Sequence, residues 1–283
     1  MKKFTVLAFA LTLMFSINAQ ITTPQPSPYT KVEQKVGLTD VTLEYSRPGV
    51  KGRTIFGDLV TLDKMWRTGA NKNSIVTFST SVMINGKKIE AGSYAIFTKP
   101  SIQSWEINFY SETENWGTPE AWDASKVAAT VLAKSMKLND KVESFTISIE
   151  NLSDGSADLS ISWDKTKVVV PFTVPTDEMV MASIEKTMAG PSSNDYYAAG
   201  RYYKDSGKDY NKALEMINKS IEMRGEEKFW MVRQKALTLA KLGKTEEAIM
   251  AAEKSIALAK IAGNDDYVKS NEKSIAEWKS MKK

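Results

Sequence analysis

Apolar and polar residues alternate along much of the chain between residues 31 and 174. At Val41, Leu43 and Tyr45, for example, each apolar side chain is followed by a polar one. A period of two residues is typical of a strand that buries one face. The alternation predicts strands in residues 41–45, 74–80, 82–85, 87–90, 93–98, 105–110, 127–133, 142–150, 157–163 and 166–174.

The spacing of these runs indicates how the strands pair. Asn85-Gly86 separates two of them by two residues, which is a strong signal for a tight β-hairpin. No insertion long enough for a crossover helix interrupts the series, so a parallel α/β sheet is disfavoured. We therefore predict an antiparallel β-sandwich, of jelly-roll or Ig-like type, over residues 31–175.

From Thr176 onward the apolar period changes from 2 to 3.6 residues, which is typical of amphipathic helices. Glycines at positions 190, 207, 225, 243 and 263 punctuate this part of the chain and mark the ends of helices. We predict helices in residues 177–189, 194–204, 209–224, 226–242, 245–261 and 265–281. The fold class is thus two-domain, all-β plus all-α, with the helical domain at residues 176–283.

The helical part also repeats. Lys219-Ser220-Ile221 recurs as Lys254-Ser255-Ile256, and Ala213 recurs as Ala248, at the same offset. The pattern resembles tetratricopeptide repeats, whose period is about 34 residues. The likeness covers residues 194–261, although the usual tryptophan and closing proline are missing. It implies paired helices that dock a protein or peptide partner.

The N-terminus has the pattern of a secretory signal peptide. Two lysines precede an apolar run of about a dozen residues, and a small residue, Ala19, ends the segment. We expect cleavage after Ala19, an extended Pro/Ser/Thr-rich leader at residues 20–30, and export to the periplasm or the extracellular space. No later stretch is apolar enough to predict a membrane span.

The composition excludes several kinds of chemistry. The chain contains no cysteine and no histidine, so it has no thiol nucleophile, no Ser-His-Asp triad and no thiolate or imidazole metal ligand. We predict no metal and no cofactor. The formal net charge is only +4, which is not the basic signature of a nucleic-acid-binding protein.

One window, residues 46–71, concentrates arginine, a residue that is otherwise scarce. The chain has 38 lysines and arginines; only six are arginine, and three of those lie here. A guanidinium group grips carboxylate, phosphate or backbone oxygens in a fixed geometry. Two interpretations stay open: a cleft for a polar or anionic ligand, or internal bracing of a glycine-rich connection. The candidate ligand-binding residues are Arg47, Arg53, Trp66, Arg67, Asn71 and Trp116.

The tryptophans separate into two groups. Trp105 and Trp163 lie in strand patterns, and we expect them in the core. Trp116 lies in the polar stretch of residues 111–123, which we predict to be a long loop. Because aromatic faces suit sugar rings, an exposed Trp116 would favour a glycan ligand.

Carboxylates provide the alternative to a non-catalytic binding module. Glu44, Asp58 and Asp63 lie in or near the arginine-rich window and would be the acids of a hydrolase or carbohydrate-active enzyme. Nothing in their spacing places them around one site, so we assign no catalytic residue. We expect a binding or interaction protein and keep the hydrolase as the alternative.

The first domain resembles one bacterial family. The motifs SRPG at residues 46–49 and WRTGAN at residues 66–71, followed by INGKKIEAGSYAIFTKP and SISWDKTKVVVPFTV, occur in the order found in an exported family catalogued as domain of unknown function 2911. That family is common in Bacteroidetes. The resemblance covers about residues 28–174 and implies a secreted β-rich domain. It implies no catalytic residues.

Overall fold

The structure is a computed structural model that describes residues 23–188 and 190–281. The chain separates into two compact units, with the division between Thr176 and Asp177. The first unit contains strands and the second contains helices, which confirms the all-β plus all-α fold class. The predicted signal peptide lies outside the described residues.

Within the described residues, the first unit is an open sandwich of ten antiparallel strands. One sheet has six strands in the order β1-β2-β3-β6-β7-β8, and the other has four in the order β5-β4-β10-β9. The strands are β1 Tyr29–Val36, β2 Thr39–Ser46, β3 Ala70–Phe78, β4 Val82–Ile84, β5 Lys87–Ile89, β6 Gly92–Pro100, β7 Ser104–Tyr110, β8 Val127–Lys134, β9 Met136–Glu150 and β10 Ser156–Thr173.

Alternating side chains of the two sheets meet in a single apolar core. Leu43 of the larger sheet and Phe145 of the smaller one are both fully buried in this cluster, as are the predicted core residues Trp105 and Trp163. The predicted hairpin is confirmed: Ile84 pairs with Lys87, and the two residues between them have left-handed φ values of 51° and 73°. A left-handed backbone at both positions is what a tight hairpin turn requires.

Several strands differ from the sequence-based prediction. Strand β1 is not among the predicted strands and begins inside the predicted leader, because residues 29–36 pair along their whole length with β2. Strand β3 begins at Ala70, four residues before the predicted start and inside the window of residues 46–71. Strand β9 begins at Met136, six residues before the predicted start. Strand β10 runs through Asp164, where two strands were expected. A bulge with a φ of 51° at Asp164 absorbs the break in alternation without ending the pairing.

The second unit contains six helices within the described residues. They are α1 Thr176–Thr187, α2 Ser193–Asp205, α3 Tyr210–Arg224, α4 Phe229–Lys241, α5 Thr245–Ile261 and α6 Asp265–Ser280. Helix α4 starts three residues later than predicted, because residues 226–228 are turn and extended backbone. None of the described helices is long and apolar enough to cross a membrane.

Residues at equivalent places in the predicted repeat have equivalent surroundings. Ala213 and Ala248 are fully buried, and Ser220 and Ser255 are too. The Ser220 hydroxyl donates to the carbonyl of Ser193 at 2.7 Å, and the Ser255 hydroxyl donates to the carbonyl of Phe229 at the same distance. Each serine thus ties one helix of a pair to the first turn of the other. These helices are consistent with tetratricopeptide-like hairpins, and the predicted protein partner stays a prediction.

Candidate functional site

The six candidate residues fall into three groups. Arg53, Trp66 and Arg67 line one cleft of about 490 Å³, which we call the arginine cleft. Asn71 and Trp116 line a second cleft of about 440 Å³, which we call the Trp116 cleft. Arg47 lines neither of them. Ser27, in the segment that precedes β1, belongs to the lining of both clefts.

The connection between β2 and β3, which contains the arginine-rich window, is joined to both sheets. The Val50 N–H donates to the Glu143 carbonyl of β9 at 2.8 Å, and the Phe145 N–H of β9 donates to the Pro48 carbonyl at 2.9 Å. At its other end, Trp66 exchanges two backbone hydrogen bonds with Thr98 of β6, at 2.7 and 2.9 Å. The connection therefore crosses from one sheet to the other as an ordered segment.

Arg67 lies between two anchored residues. Trp66 before it is held by the bridge to Thr98, and Thr68 after it is fully buried, with its hydroxyl donating to the Thr98 hydroxyl at 3.0 Å. Thr68 has a φ of 59°, which is rare and costly for a β-branched residue. Such strain persists only where the surroundings overdetermine the backbone. The direction in which Arg67 leaves the chain is thus fixed.

Gly69 completes this turn, and only glycine suits its position. Its φ is 129°, and a Cβ there would lie 2.9 Å from the Ser74 hydroxyl oxygen and 3.4 Å from the Ser46 carbonyl oxygen. The Ser74 hydroxyl also donates to the Thr68 carbonyl. Close packing around Gly69 therefore maintains the backbone that presents Arg67.

The Arg67 guanidinium has no protein partner within the described residues. Its Nε atom is buried and makes no hydrogen bond, and the rest of the group forms no hydrogen bond or ion pair with another described residue. A buried donor without an acceptor costs about 1–3 kcal/mol, and more when it is charged. Arg67 therefore differs from an arginine that braces the fold.

Arg47 and Arg53 do have protein partners. Arg47 donates from Nε to the Phe145 carbonyl at 3.0 Å and from Nη2 to the Thr146 hydroxyl at 2.7 Å, both in β9. Arg53 donates to the carbonyls of Gly49 at 2.6 Å and Val50 at 3.2 Å. These are the backbone and hydroxyl oxygens that the bracing interpretation requires. Of the three arginines, Arg67 alone combines an unpartnered guanidinium with a place in a cleft.

The arginine cleft is cationic. Lys51, Arg53 and Arg67 line it, and its lining includes no aspartate or glutamate. The nearby Glu143 accepts a hydrogen bond from the Lys51 backbone N–H and pairs with Lys141. The backbone hydrogen bond, and to a smaller extent the contact with Lys141, lower the pKa of Glu143 below its usual value. Three positive side chains around one concavity favour a negatively charged ligand.

The carboxylates of the hydrolase alternative are not brought together in this cleft. Asp58 and Asp63 are exposed and line neither cleft, and Glu44 lines the Trp116 cleft, where it accepts a hydrogen bond from Tyr29. Within the described residues, no group of three or more acidic side chains is arranged to hold a metal ion.

Two stacked indoles form the apolar wall of the arginine cleft. The rings of Trp66 and Trp163 lie 6.0 Å apart with an interplanar angle of 13°, and Phe145 meets both of them edge-on. Trp163 is 2% exposed, so it supports Trp66 from within the core, whereas Trp66 is half-buried. The cleft therefore combines a cationic rim with an aromatic wall.

Several lining residues escaped the sequence analysis. Lys51 lies in the arginine-rich window, but lysine is too common in this chain for it to stand out. Tyr29 lies in the predicted leader, and Asn73 lies one residue before the predicted strand at residues 74–80; both line the Trp116 cleft. Only the pairing of β1, β2 and β3 shows that Tyr29 and Asn73 share one surface.

A family model described as "Protein of unknown function (DUF2911)" matches residues 27–172. No curated protein and no solved structure matches the chain.

Proposed function

For this chain, which belongs to the family of proteins of unknown function DUF2911, we propose the role of an exported binding protein whose β-sandwich holds a small anion in the arginine cleft. The main support for this proposal is that Arg67 lines the cleft and that its buried Nε atom has no hydrogen-bond partner. An anion with two oxygens would accept from two N–H groups of this side chain at once.

The cleft also suggests the class of ligand. Its volume of about 490 Å³ is within the range of small-molecule sites. Trp66 offers an aromatic face, while Lys51 and Arg53 add positive charge. These features favour a small carboxylate, sulfate or phosphate ester that carries a planar or apolar part, with the acid on Arg67 and the apolar part against Trp66.

Non-catalytic binding is preferred to hydrolysis for a geometric reason. A carboxylate-based hydrolase needs two acids, or an acid and a base, around one scissile bond. The described lining of the arginine cleft contains no aspartate or glutamate for either role. Cations around an aromatic wall suit recognition of an anion.

Export is part of this proposal and is supported by the residue pattern at positions 1–19. The expected product begins at Gln20. Mass spectrometry of the protein recovered from culture medium or from a periplasmic extract should give a mass that starts at Gln20. A product that retains Met1 would refute export by this route.

The binding proposal is tested by isothermal titration calorimetry of the mature protein against inorganic phosphate, sulfate, benzoate, indole-3-acetate and galacturonate. We expect at least one of these anions to bind, with an affinity that falls as sodium chloride is raised. Arg67→Gln removes the charge, and the loss of a charge-assisted hydrogen bond of about 1.5–3 kcal/mol should weaken binding roughly 10- to 150-fold.

Arg201→Gln is the matched control, because Arg201 is a half-exposed arginine in the helical unit whose partner is Asp205. It should leave the affinity unchanged. If none of the five anions binds, or if Arg67→Gln binds as tightly as the original protein, the proposal is wrong.

A further inference from the structure

The Trp116 cleft lies on the outer face of the six-stranded sheet and is lined by residues of three neighbouring strands. Tyr29 of β1, Glu44 of β2 and Ile75 of β3 line it, and Glu44 is directly paired with Ile75. Strands β2 and β3 are paired on both sides, whereas β1 is the edge strand and pairs only with β2. The cleft is lined by side chains on the face of the sheet and not by the free edge of β1, so recognition here depends on side chains and not on strand pairing.

Trp116 is exposed but held in place. Its side chain is 72% exposed, although a large apolar ring gains free energy from burial. The residue before it is attached to β3 twice: the Asn73 N–H donates to the Asn115 carbonyl at 3.0 Å, and the Asn115 N–H donates to the Asn73 side-chain oxygen at 3.0 Å. Lys72 pairs with Glu114 at 2.9 Å. The loop backbone next to Trp116 is thus attached to β3, while the Trp116 side chain is exposed to solvent.

Tyr29 provides a second aromatic surface in the same cleft. It is 62% exposed, and its hydroxyl donates to the Glu44 carboxylate, which orients the ring. This hydrogen bond raises the pKa of Tyr29 to about 12. Tyr29 is a neutral phenol at physiological pH, as an unperturbed tyrosine would also be, and most of the residue is exposed to solvent.

Asn73 supplies an unsatisfied polar group. It is 3% exposed and lines the cleft, yet its Nδ2 makes no hydrogen bond within the described residues. The side-chain oxygen is already used by Asn115, so Nδ2 is the atom left over. Leaving an amide donor buried without an acceptor costs about 1–3 kcal/mol. An acceptor on a ligand would remove this cost.

The charged residues of this cleft are paired, unlike those of the arginine cleft. Lys72 is neutralised by Glu114, and Glu44 accepts from Tyr29. None of the described lining residues is an unpaired cation that could bind an anionic ligand. The group without a hydrogen-bond partner is the neutral side-chain amide of Asn73. Exposed aromatic rings beside amide donors match the apolar faces and the hydroxyl oxygens of a sugar.

We propose that the Trp116 cleft is a second binding site, separate from the anion site, and that it takes a ring of a neutral carbohydrate. The sugar ring packs against Trp116 and Tyr29, and one of its oxygens accepts the hydrogen bond of Asn73 Nδ2. Because the guanidinium of Arg67 is not part of this site, the sugar binds whether or not the arginine cleft is functional.

The test is titration of the mature protein with neutral hexasaccharides of glucose (in cellulose, laminarin and starch linkages), xylose, mannose and N-acetylglucosamine. Calorimetry gives the affinity, and the indole N–H resonance of Trp116, identified by its loss in Trp116→Phe, gives the location. We expect at least one sugar to bind and to shift that resonance. Trp116→Ala should weaken binding about tenfold, which is the upper range for one aromatic contact, and Trp116→Phe should restore part of it.

Two variants serve as controls. Ile102→Ala removes another large apolar side chain, 79% exposed in the β6–β7 turn, and should leave sugar binding unchanged. Arg67→Gln should also leave it unchanged, which separates this proposal from anion binding. If no sugar in the set binds, or if binding survives Trp116→Ala undiminished, the proposal is overturned. Loss of sugar binding in Arg67→Gln would show instead that the two clefts are one site.

Discussion

Replacing Arg47 by methionine should destabilise the β-sandwich, whereas replacing Arg67 by methionine should not. Both arginines are half-buried in the same connection, and methionine keeps much of the side-chain volume. Arg47→Met removes two hydrogen bonds and leaves the Phe145 carbonyl and the Thr146 hydroxyl without their donor. Arg67→Met removes a guanidinium that has no hydrogen bond to lose. The pair thus distinguishes bracing from ligand binding.

The magnitudes follow from these contacts. A hydrogen bond to a charged group contributes about 1.5–3 kcal/mol, and partial exposure reduces this, so we expect Arg47→Met to cost roughly 2–3 kcal/mol. For a domain of about 150 residues, each kcal/mol changes Tm by roughly 2–4 °C, which gives a fall of about 4–12 °C. Arg67→Met should leave Tm unchanged or raise it, because it removes the cost of an unpartnered buried donor; relief of about 1 kcal/mol, the lower end of that cost, would raise Tm by roughly 2–4 °C.

Differential scanning calorimetry of the mature protein measures both effects. The near-UV circular dichroism of the buried tryptophans identifies the transition of the β-sandwich. The protein should first be dialysed free of small anions, because a ligand bound to the native state would itself raise Tm. A fall in Tm for Arg67→Met as large as that for Arg47→Met would contradict this prediction, because it would mean that Arg67 also braces the fold.

Three further predictions concern particular contacts. Gly69→Ala should lower the Tm of the β-sandwich by several degrees, because a Cβ there meets a hydroxyl oxygen at 2.9 Å and the φ of 129° disfavours any side chain. Gly117→Ala, with no atom within 4 Å of its Cβ, should have little effect on Tm. Gly200→Ala places a Cβ 2.8 Å from a side-chain carbon of α3. It should destabilise the helical unit by about 1–3 kcal/mol, measured from urea unfolding by far-UV circular dichroism; an unchanged midpoint would contradict this. Burial alone would raise the pKa of Glu150, but hydrogen bonds from Lys167 and two serines outweigh burial and lower it. A folded pKa below the unfolded value of about 4.3 stabilises the protein above that pH, and the effect is lost as pH falls through the folded pKa. The stability difference between the original protein and Lys167→Met should therefore be constant well above the unfolded pKa and shrink as pH falls below it.

Local patterns were sufficient to predict most of the secondary structure. Period-two alternation identifies β8, in which Ala129, Val131 and Ala133 are buried and their neighbours are not. Asn85-Gly86 identifies the β4–β5 hairpin. Local patterns failed where a long-range pairing overrides them: β10 continues through Asp164 because β9 lies beside it.

The candidate site was only partly predictable, because its chemistry depends on residues far apart in the chain. The scarcity of arginine draws attention to the window of residues 46–71, but it does not distinguish the three arginines. The guanidinium of Arg47 donates hydrogen bonds to Phe145 and Thr146, which lie 98 and 99 positions further along the chain. No sequence pattern predicts that contact. Asn73 and Asn115 meet across 42 positions, which is why the fixed position of Trp116 became visible only in the fold.

Anion binding at Arg67 is tested most directly by following the Nε–Hε NMR resonance of Arg67 in the ¹⁵N-labelled mature protein. This resonance is assigned by its absence in Arg67→Lys. We expect at least one of five anions to shift this resonance saturably, while the Nε–Hε resonance of Arg47 stays in place. The five anions are phosphate, sulfate, benzoate, indole-3-acetate and galacturonate. If the Arg67 resonance is unmoved by all five anions, or if both resonances shift together, the claim that Arg67 is held ready for an anionic ligand is contradicted.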